Sequence, residues 1–229
     1  MRADGLLFDK DGTLFDFGAT WNVWAGGMIE QLAKGDDTLA QNIADAVEYD
    51  FQGRAFLPHS FVIAGTNREV AEAVASAMPG QSVDEIDDFL MRSSAEAPLV
   101  EAVPLGTFLD GMAARGLKLG VMTNDTEFGA RAHLSAANVE DKFDFIAGFD
   151  SGHGAKPDPA PLLAFSTAMQ LTPARVVMVG DSTHDLIAGR AAGMQTVGVL
   201  TGPASEQDLA PHADMVLPNI SHLGAWLTA

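Results

Sequence analysis

The chain has 229 residues, 47% of them hydrophobic, no cysteine, and 13 Lys+Arg against 31 Asp+Glu, a formal net charge of −18. The length suits one large domain, or one domain with a smaller insertion, and is ample for a buried core. The acidic surplus argues against nucleic acid and anionic membrane surfaces as partners, and the lack of cysteine removes disulfides, thiolate zinc sites and a cysteine nucleophile. Met1 to Asp4 lead into an apolar run of only Leu6-Leu7-Phe8, and later apolar runs such as Val176 to Val179 are far too short to span a bilayer. A soluble, cytoplasmic protein without a signal peptide is expected.

In chain order, Gly5-Leu6-Leu7-Phe8 is followed by apolar runs at Leu117 to Met122, Phe145 to Ala147, Val176 to Val179 and Thr196 to Val199. Such near-continuous runs suit strands buried on both faces, as in a parallel sheet covered by helices. Helical patterns lie between the later runs, over Gly106 to Ala114, Thr126 to Ala137, Pro161 to Met169 and Asp185 to Ala192, with Gly116 and Gly193 as stop signals. The alternation predicts an α/β protein with a doubly wound, mostly parallel sheet. From about Asp16 to about Val100 the rhythm breaks. Trp21 to Lys34 and Asp36 to Tyr49 read as helices, and Thr66-Asn67-Arg68-Glu69 and Ser82-Val83-Asp84-Glu85 have capping-box spacing ahead of two more. This predicts an all-helical cap at 16–100, inserted between core segments 1–15 and 101–229; helices packed directly on the sheet are the alternative.

Four motifs fall at predicted strand ends, where open α/β sheets bind their ligands. The first is Asp9-Lys10-Asp11-Gly12-Thr13, whose two carboxylates can share a crevice if the chain turns at Gly12; an ordinary Asp/Gly loop reads the same way. The second, Thr123-Asn124, offers a hydroxyl and an amide, although Thr123 also suits a helix cap. Lys156, pinned before Pro157 and Pro159, reads alone as a surface lysine. In Gly180-Asp181-Ser182-Thr183-His184-Asp185 the two acids are four apart at a helix start, equally consistent with acidic capping.

Taken jointly and in order, Asp9/Asp11/Gly12/Thr13, Thr123, Lys156 and Gly180/Asp181/Asp185 resemble the signature of the haloacid dehalogenase-like hydrolase superfamily, and the helical insertion resembles the cap of its phosphoglycolate phosphatase-like branch. The resemblance implies a Rossmann-like core and a phosphomonoester hydrolase working through an aspartyl phosphate. It implies Asp9 as nucleophile and metal ligand, and Asp11 as acid and base with its carbonyl on Mg²⁺. Asp181 and Asp185 complete the metal site, and Thr123, Asn124 and Lys156 hold the phosphoryl oxygens. The residue types agree with this reading. Clustered carboxylates repel unless a cation neutralises them, an oxygen-only donor set suits Mg²⁺, and a carboxylate can act as a nucleophile in phosphoryl transfer.

The cap is expected to supply specificity, and the break Phe51 to His59 offers Arg54 and His59 as candidates, each equally readable as a solvated loop residue. Trp21 and Trp24 read as packing residues. His184 borders the last motif, and Lys10 is a further positive charge near the crevice. The expected partner is a small phosphorylated metabolite, with phosphoglycolate the leading named substrate, acted on by a monomer or homodimer. A β-phosphoglucomutase-type phosphomutase and a non-catalytic binding protein on the same fold are the alternatives.

Overall fold

The computed structural model describes residues 2–228. Strand β1 (Gly5–Phe8) opens the fold and every residue in it is buried. A π-helical turn over Gly18–Asn22 leads into α1 (Val23–Ala33), then α2 (Asp37–Ala46), a short ribbon of β2 (Tyr49–Asp50) and β3 (Ala55–Phe56), and helices α3 (Asn67–Ala77) and α4 (Val83–Ser94). There follow α5 (Leu105–Ala113), β4 (Lys118–Met122), α6 (Glu127–Ala136), β5 (Phe145–Ala147), α7 (Ala160–Met169), β6 (Val176–Gly180) and α8 (Thr183–Ala191). The chain ends with β7 (Gln195–Val199), α9 (Glu206–Leu209), β8 (Met215–Leu217) and α10 (Leu223–Trp226).

Six strands form one sheet in the order β5-β4-β1-β6-β7-β8, and every pairing is parallel. Alternation along the strands divides the core. Leu6, Phe8, Val121, Val177 and Val179 belong to one hydrophobic cluster, and Leu7, Met122, Val176 and Met178 to another. The chain runs outward from β1 in one direction through β4 and β5, then returns to its other side at β6. The crevice outside the carboxyl ends of β1 and β6 is therefore a topological switch point.

A third cluster, drawn from Ala25 to Leu90, packs α1 to α4 on one another rather than on the sheet. The Thr66–Glu69 capping box forms as its spacing predicts, with both reciprocal bonds present. Ser82 stands at the N-cap of α4, but its side chain makes no capping bond. The cap segment is not wholly helical. Helix α2 stops at Ala46, and Tyr49 and Asp50 pair antiparallel with Phe56 and Ala55. The Asp50 carboxylate accepts from the N–H groups of Gln52 and Gly53, which closes the turn, and Arg54 takes positive φ (56°). Two-residue strands are too short for an alternating pattern to register. Among the described residues no helix is long and apolar enough to cross a membrane.

Candidate active site

Asp9 follows β1 and Asp181 follows β6, so the two neighbouring strands deliver their carboxylates to the switch point. Asp185 arrives on the first turn of α8. Its Oδ2 accepts from the Ser182 backbone N–H (3.0 Å) and hydroxyl (2.7 Å), a capping box that leaves Oδ1 facing the crevice. Oxygen atoms of Asp9, Asp181 and Asp185 all lie within 4.8 Å of one another, and all three residues are buried. The glycines beside this cluster are required by space. Gly12 takes positive φ (75°), and a Cβ at Gly12 or Gly202 would collide with the Asp181 carboxylate.

Lys156 is buried rather than on the surface, and its Nζ donates to Asp9 Oδ1 and Asp185 Oδ1, each at 2.6 Å. Burial pulls its pKa down, but the carboxylates of Asp185 and Asp9 outweigh this and hold it above the ordinary lysine value. One ammonium does not neutralise three buried acids. Burial, with added repulsion from Asp185 and Asp11, raises the Asp9 pKa to about 7. Burial and the charges of Asp9 and Asp185 raise Asp181 well above the usual carboxylate range. An oxygen-only cluster with surplus negative charge fits a hard divalent cation.

Thr123 is buried at the end of β4 and lines the same cavity; the helix cap of α6 is Thr126, whose hydroxyl accepts from Gly129 N–H at 3.0 Å. The Asn124 side chain is not free for a phosphoryl oxygen. Its Nδ2 donates to Ala64 O and Lys156 O, both at 2.9 Å, and its Oδ1 accepts from Lys156 N–H at 2.9 Å. It therefore fastens the Lys156 loop and the cap to the end of β4. The backbone N–H groups of Asp11 and Asn124 have no acceptor among the described residues, which leaves both available at the site.

The Asp11 carboxylate turns from the three-acid cluster towards Lys10, with Lys10 Nζ at 2.9 Å from Oδ1 and 2.8 Å from Oδ2. Lys10 is fully buried, and its ammonium also contacts Asp125 Oδ2 at 3.1 Å and His133 Nδ1 at 2.9 Å. Since a lysine only donates, Nδ1 accepts, so the ring proton sits on Nε2 and is donated to Ser94 O at 2.7 Å. Burial first, and then Lys10, hold the His133 pKa below its usual value, in keeping with a neutral ring. Lys10 is thus an internal ion-pair partner and does not face the crevice.

Arg54 and His59 do not reach the cavity. Arg54 is half exposed and pairs with Glu30 at 2.6 Å, and His59 is exposed beside Glu48. The left-handed turn of the ribbon aims Arg54 along the outside of α1. The cap instead meets the site through residues that carry no motif: Phe17, Trp21, Trp24, Val62, Ile63 and Val70 line a cavity of about 90 Å³ with the acids at its floor. The only sequence signal for them was the i, i+3 spacing of Trp21 and Trp24. His184 lines the cavity as well.

A doubly wound sheet carrying a buried acid cluster and a lysine at its switch point, covered by an inserted helical cap, defines a Rossmann-like α/β protein with its site at the strand ends. Residues 62–199, more than half the chain, match the family model for haloacid dehalogenase-like hydrolases. The chain is 30% identical over 226 residues to the phosphoglycolate phosphatase of Neisseria meningitidis, covering 97% of this chain and 92% of that protein. It is 37% identical over 119 residues to the phosphoglycolate phosphatase of Rhodospirillum rubrum, covering 52% of this chain and 49% of that protein. Its fold matches the crystal structure of CbbY from Rhodobacter sphaeroides in complex with phosphate, with a TM-score of 0.73 at 19% identity over 99% of this chain and 100% of that one. The chain belongs to the haloacid dehalogenase-like hydrolase family.

Proposed function

We propose that the chain is a magnesium-dependent phosphomonoester hydrolase acting on a small soluble phosphate through an aspartyl phosphate on Asp9. The observation that carries this reading is the meeting of Asp9, Asp181, Asp185 and Lys156 in one buried crevice at the ends of β1 and β6. In this reading 1–15 and 101–229 form the core and 16–100 the cap.

Asp9, Asp181, Asp185 and the Asp11 carbonyl would hold Mg²⁺, which when bound supplies positive charge to the acids and to the phosphoryl oxygens. The remaining steps belong to side chains. Thr123 and Lys156, with the free N–H groups of Asp11 and Asn124, hold the transferring group in line with Asp9. A carboxylate oxygen of Asp9 attacks phosphorus while the ester oxygen leaves with a proton from Asp11. Asp11 then takes a proton from the water that hydrolyses the acyl phosphate and returns Asp9 to its starting form. The Asp11 carboxylate, paired with Lys10 in this structure, would turn from that ammonium to the leaving oxygen to serve as acid and base. Phosphoglycolate, the substrate named in the relatives, is the reference compound for assay.

Asp9→Asn is expected to abolish magnesium-dependent phosphate release while the protein stays folded by circular dichroism. Near-full activity in that variant would remove Asp9 as the nucleophile. Failure of the folded, magnesium-bound wild type on every phosphomonoester of a broad panel would overturn the function itself.

A further inference from the structure

The phosphoryl end of the cavity is rich in charge, whereas the end that receives the leaving group is apolar. Phe17, Trp21, Trp24, Val62, Ile63 and Val70 form that wall. The indoles of Trp21 and Trp24 meet edge to face, with centroids 5.2 Å apart at 88°. Trp24 Nε1 is committed to the Ser93 hydroxyl at 3.3 Å, so its ring carbons are what it presents.

No cation in the cap balances a second negative charge there. Lys156 is the one lysine or arginine among the described lining residues, and it is held between Asp9 and Asp185. Lys10, whose ammonium lies 5.2 Å from the Trp21 ring centroid, is already matched by the carboxylates of Asp11 and Asp125 and by His133; Arg54 is paired with Glu30 outside the cavity, and Arg68 is paired with Asp84. His184 belongs to α8, on the core side. The N-terminus of α3, whose first residue Asn67 lines the cavity, already has the Glu69 carboxylate folded onto the Thr66 N–H at 2.7 Å. An anionic leaving group would lose its water against indole and valine without a counter-charge. An apolar group loses nothing by the same transfer and gains ring contacts.

We propose that the preferred substrate is a phosphomonoester of an uncharged alcohol that presents an apolar or aromatic face to Trp21 and Trp24. The inference rests on the phosphomonoesterase reading above and selects the alcohol. Across the cleaved P–O bond one water is added: its oxygen ends on phosphorus and a proton ends on the departing alkoxide. A cavity of about 90 Å³, room for several water molecules where roughly 10–15 Å³ holds one, suits a single ring rather than a long chain.

The test compares magnesium-dependent phosphate release from benzyl phosphate and from phosphoglycolate, both esters of primary alcohols, in the wild type, in Trp21→Leu and in Val62→Lys. In the wild type, kcat/KM for benzyl phosphate is expected to exceed that for phosphoglycolate at least tenfold. Both variants are expected to lower that ratio, Trp21→Leu by removing apolar contact and Val62→Lys by adding a cation for the carboxylate. Equal or inverted wild-type preference overturns the inference and leaves the phosphomonoesterase intact, as does an unchanged ratio in both folded variants. No release from either ester or from acetyl phosphate overturns the phosphomonoesterase reading and this inference with it.

Discussion

With no solvent exposure, the Lys10 ammonium has three protons for three neighbours, the carboxylates of Asp11 and Asp125 and the imidazole of His133. Burial alone would discharge it, yet the two carboxylates keep its pKa above the usual lysine value. Removing the ammonium leaves two acids facing each other with little water. Lys10→Met is therefore expected to lower the unfolding free energy by roughly 3–5 kcal/mol in urea titration, and a second change, Asp125→Asn, to recover part of it. A loss within about 1 kcal/mol would assign the triad the strength of an exposed pair. None of this was legible locally: Lys10 stands between two motif aspartates, but its partner His133 lies 123 residues away. The clustered acids were legible because Asp9 and Asp181 come at the ends of apolar runs, with Asp185 four residues after Asp181. Asn124 lines the cavity, but its amide fastens Ala64 and Lys156 and is not free for the phosphoryl oxygen expected from the sequence.

At the scale of elements, the β6–α8 junction shows why a site acid and a helix cap can be the same residue. Asp185 closes the capping box on Ser182 with one oxygen and holds Lys156 with the other. Ser182→Ala removes a donor to that carboxylate and the acceptor for the Asp185 N–H. It is expected to cost about 1 kcal/mol in thermal unfolding, within the span of helix-cap substitutions; no measurable loss would mean the backbone bond alone holds the cap. The sequence shows this turn as Ser-x-x-Asp; the acidic-capping reading holds, and the same carboxylate also joins the buried acid cluster. Other elements were harder to read. β8 is only Met215-Val216-Leu217 at the sheet edge, and the cap ribbon is two residues on each side, lengths at which a strand and a loop look alike.

For the whole molecule, the charge of −18 includes three buried acids that share the single ammonium of Lys156. The Asp9 carboxyl titrates near 3.8 in an unfolded chain and is raised to about 7 in the fold by burial and the neighbouring acids. Its contribution to stability is thus complete below the unfolded value and is lost as pH rises through the folded one. Mg²⁺ competes with that proton, so the rise in Tm on adding excess MgCl₂ is expected to be small well below the Asp9 pKa and to grow as pH passes above it. Differential scanning calorimetry across that range checks it, and a pH-independent shift would uncouple Asp9 from the ion. The cavity wall is the part that the sequence could least disclose. Phe17, the two tryptophans and the stretch from Val62 to Val70 become one surface only when the segments of the cap pack on one another.

The strand order also determines when the acid cluster can assemble during synthesis of the chain. Gly5 of β1 pairs with Lys118 of β4 and with Val176 of β6. On the ribosome, the cap helices can collapse on one another from contacts local to the segment Ala25 to Leu90, while β1 waits, apolar and unpaired, for strands not yet translated. Asp9 is made before Lys156, Asp181 and Asp185, and stays without them until α8 has left the exit tunnel. A chain that stops before α8 therefore holds Asp9 without the lysine and the two acids that surround it in the finished fold.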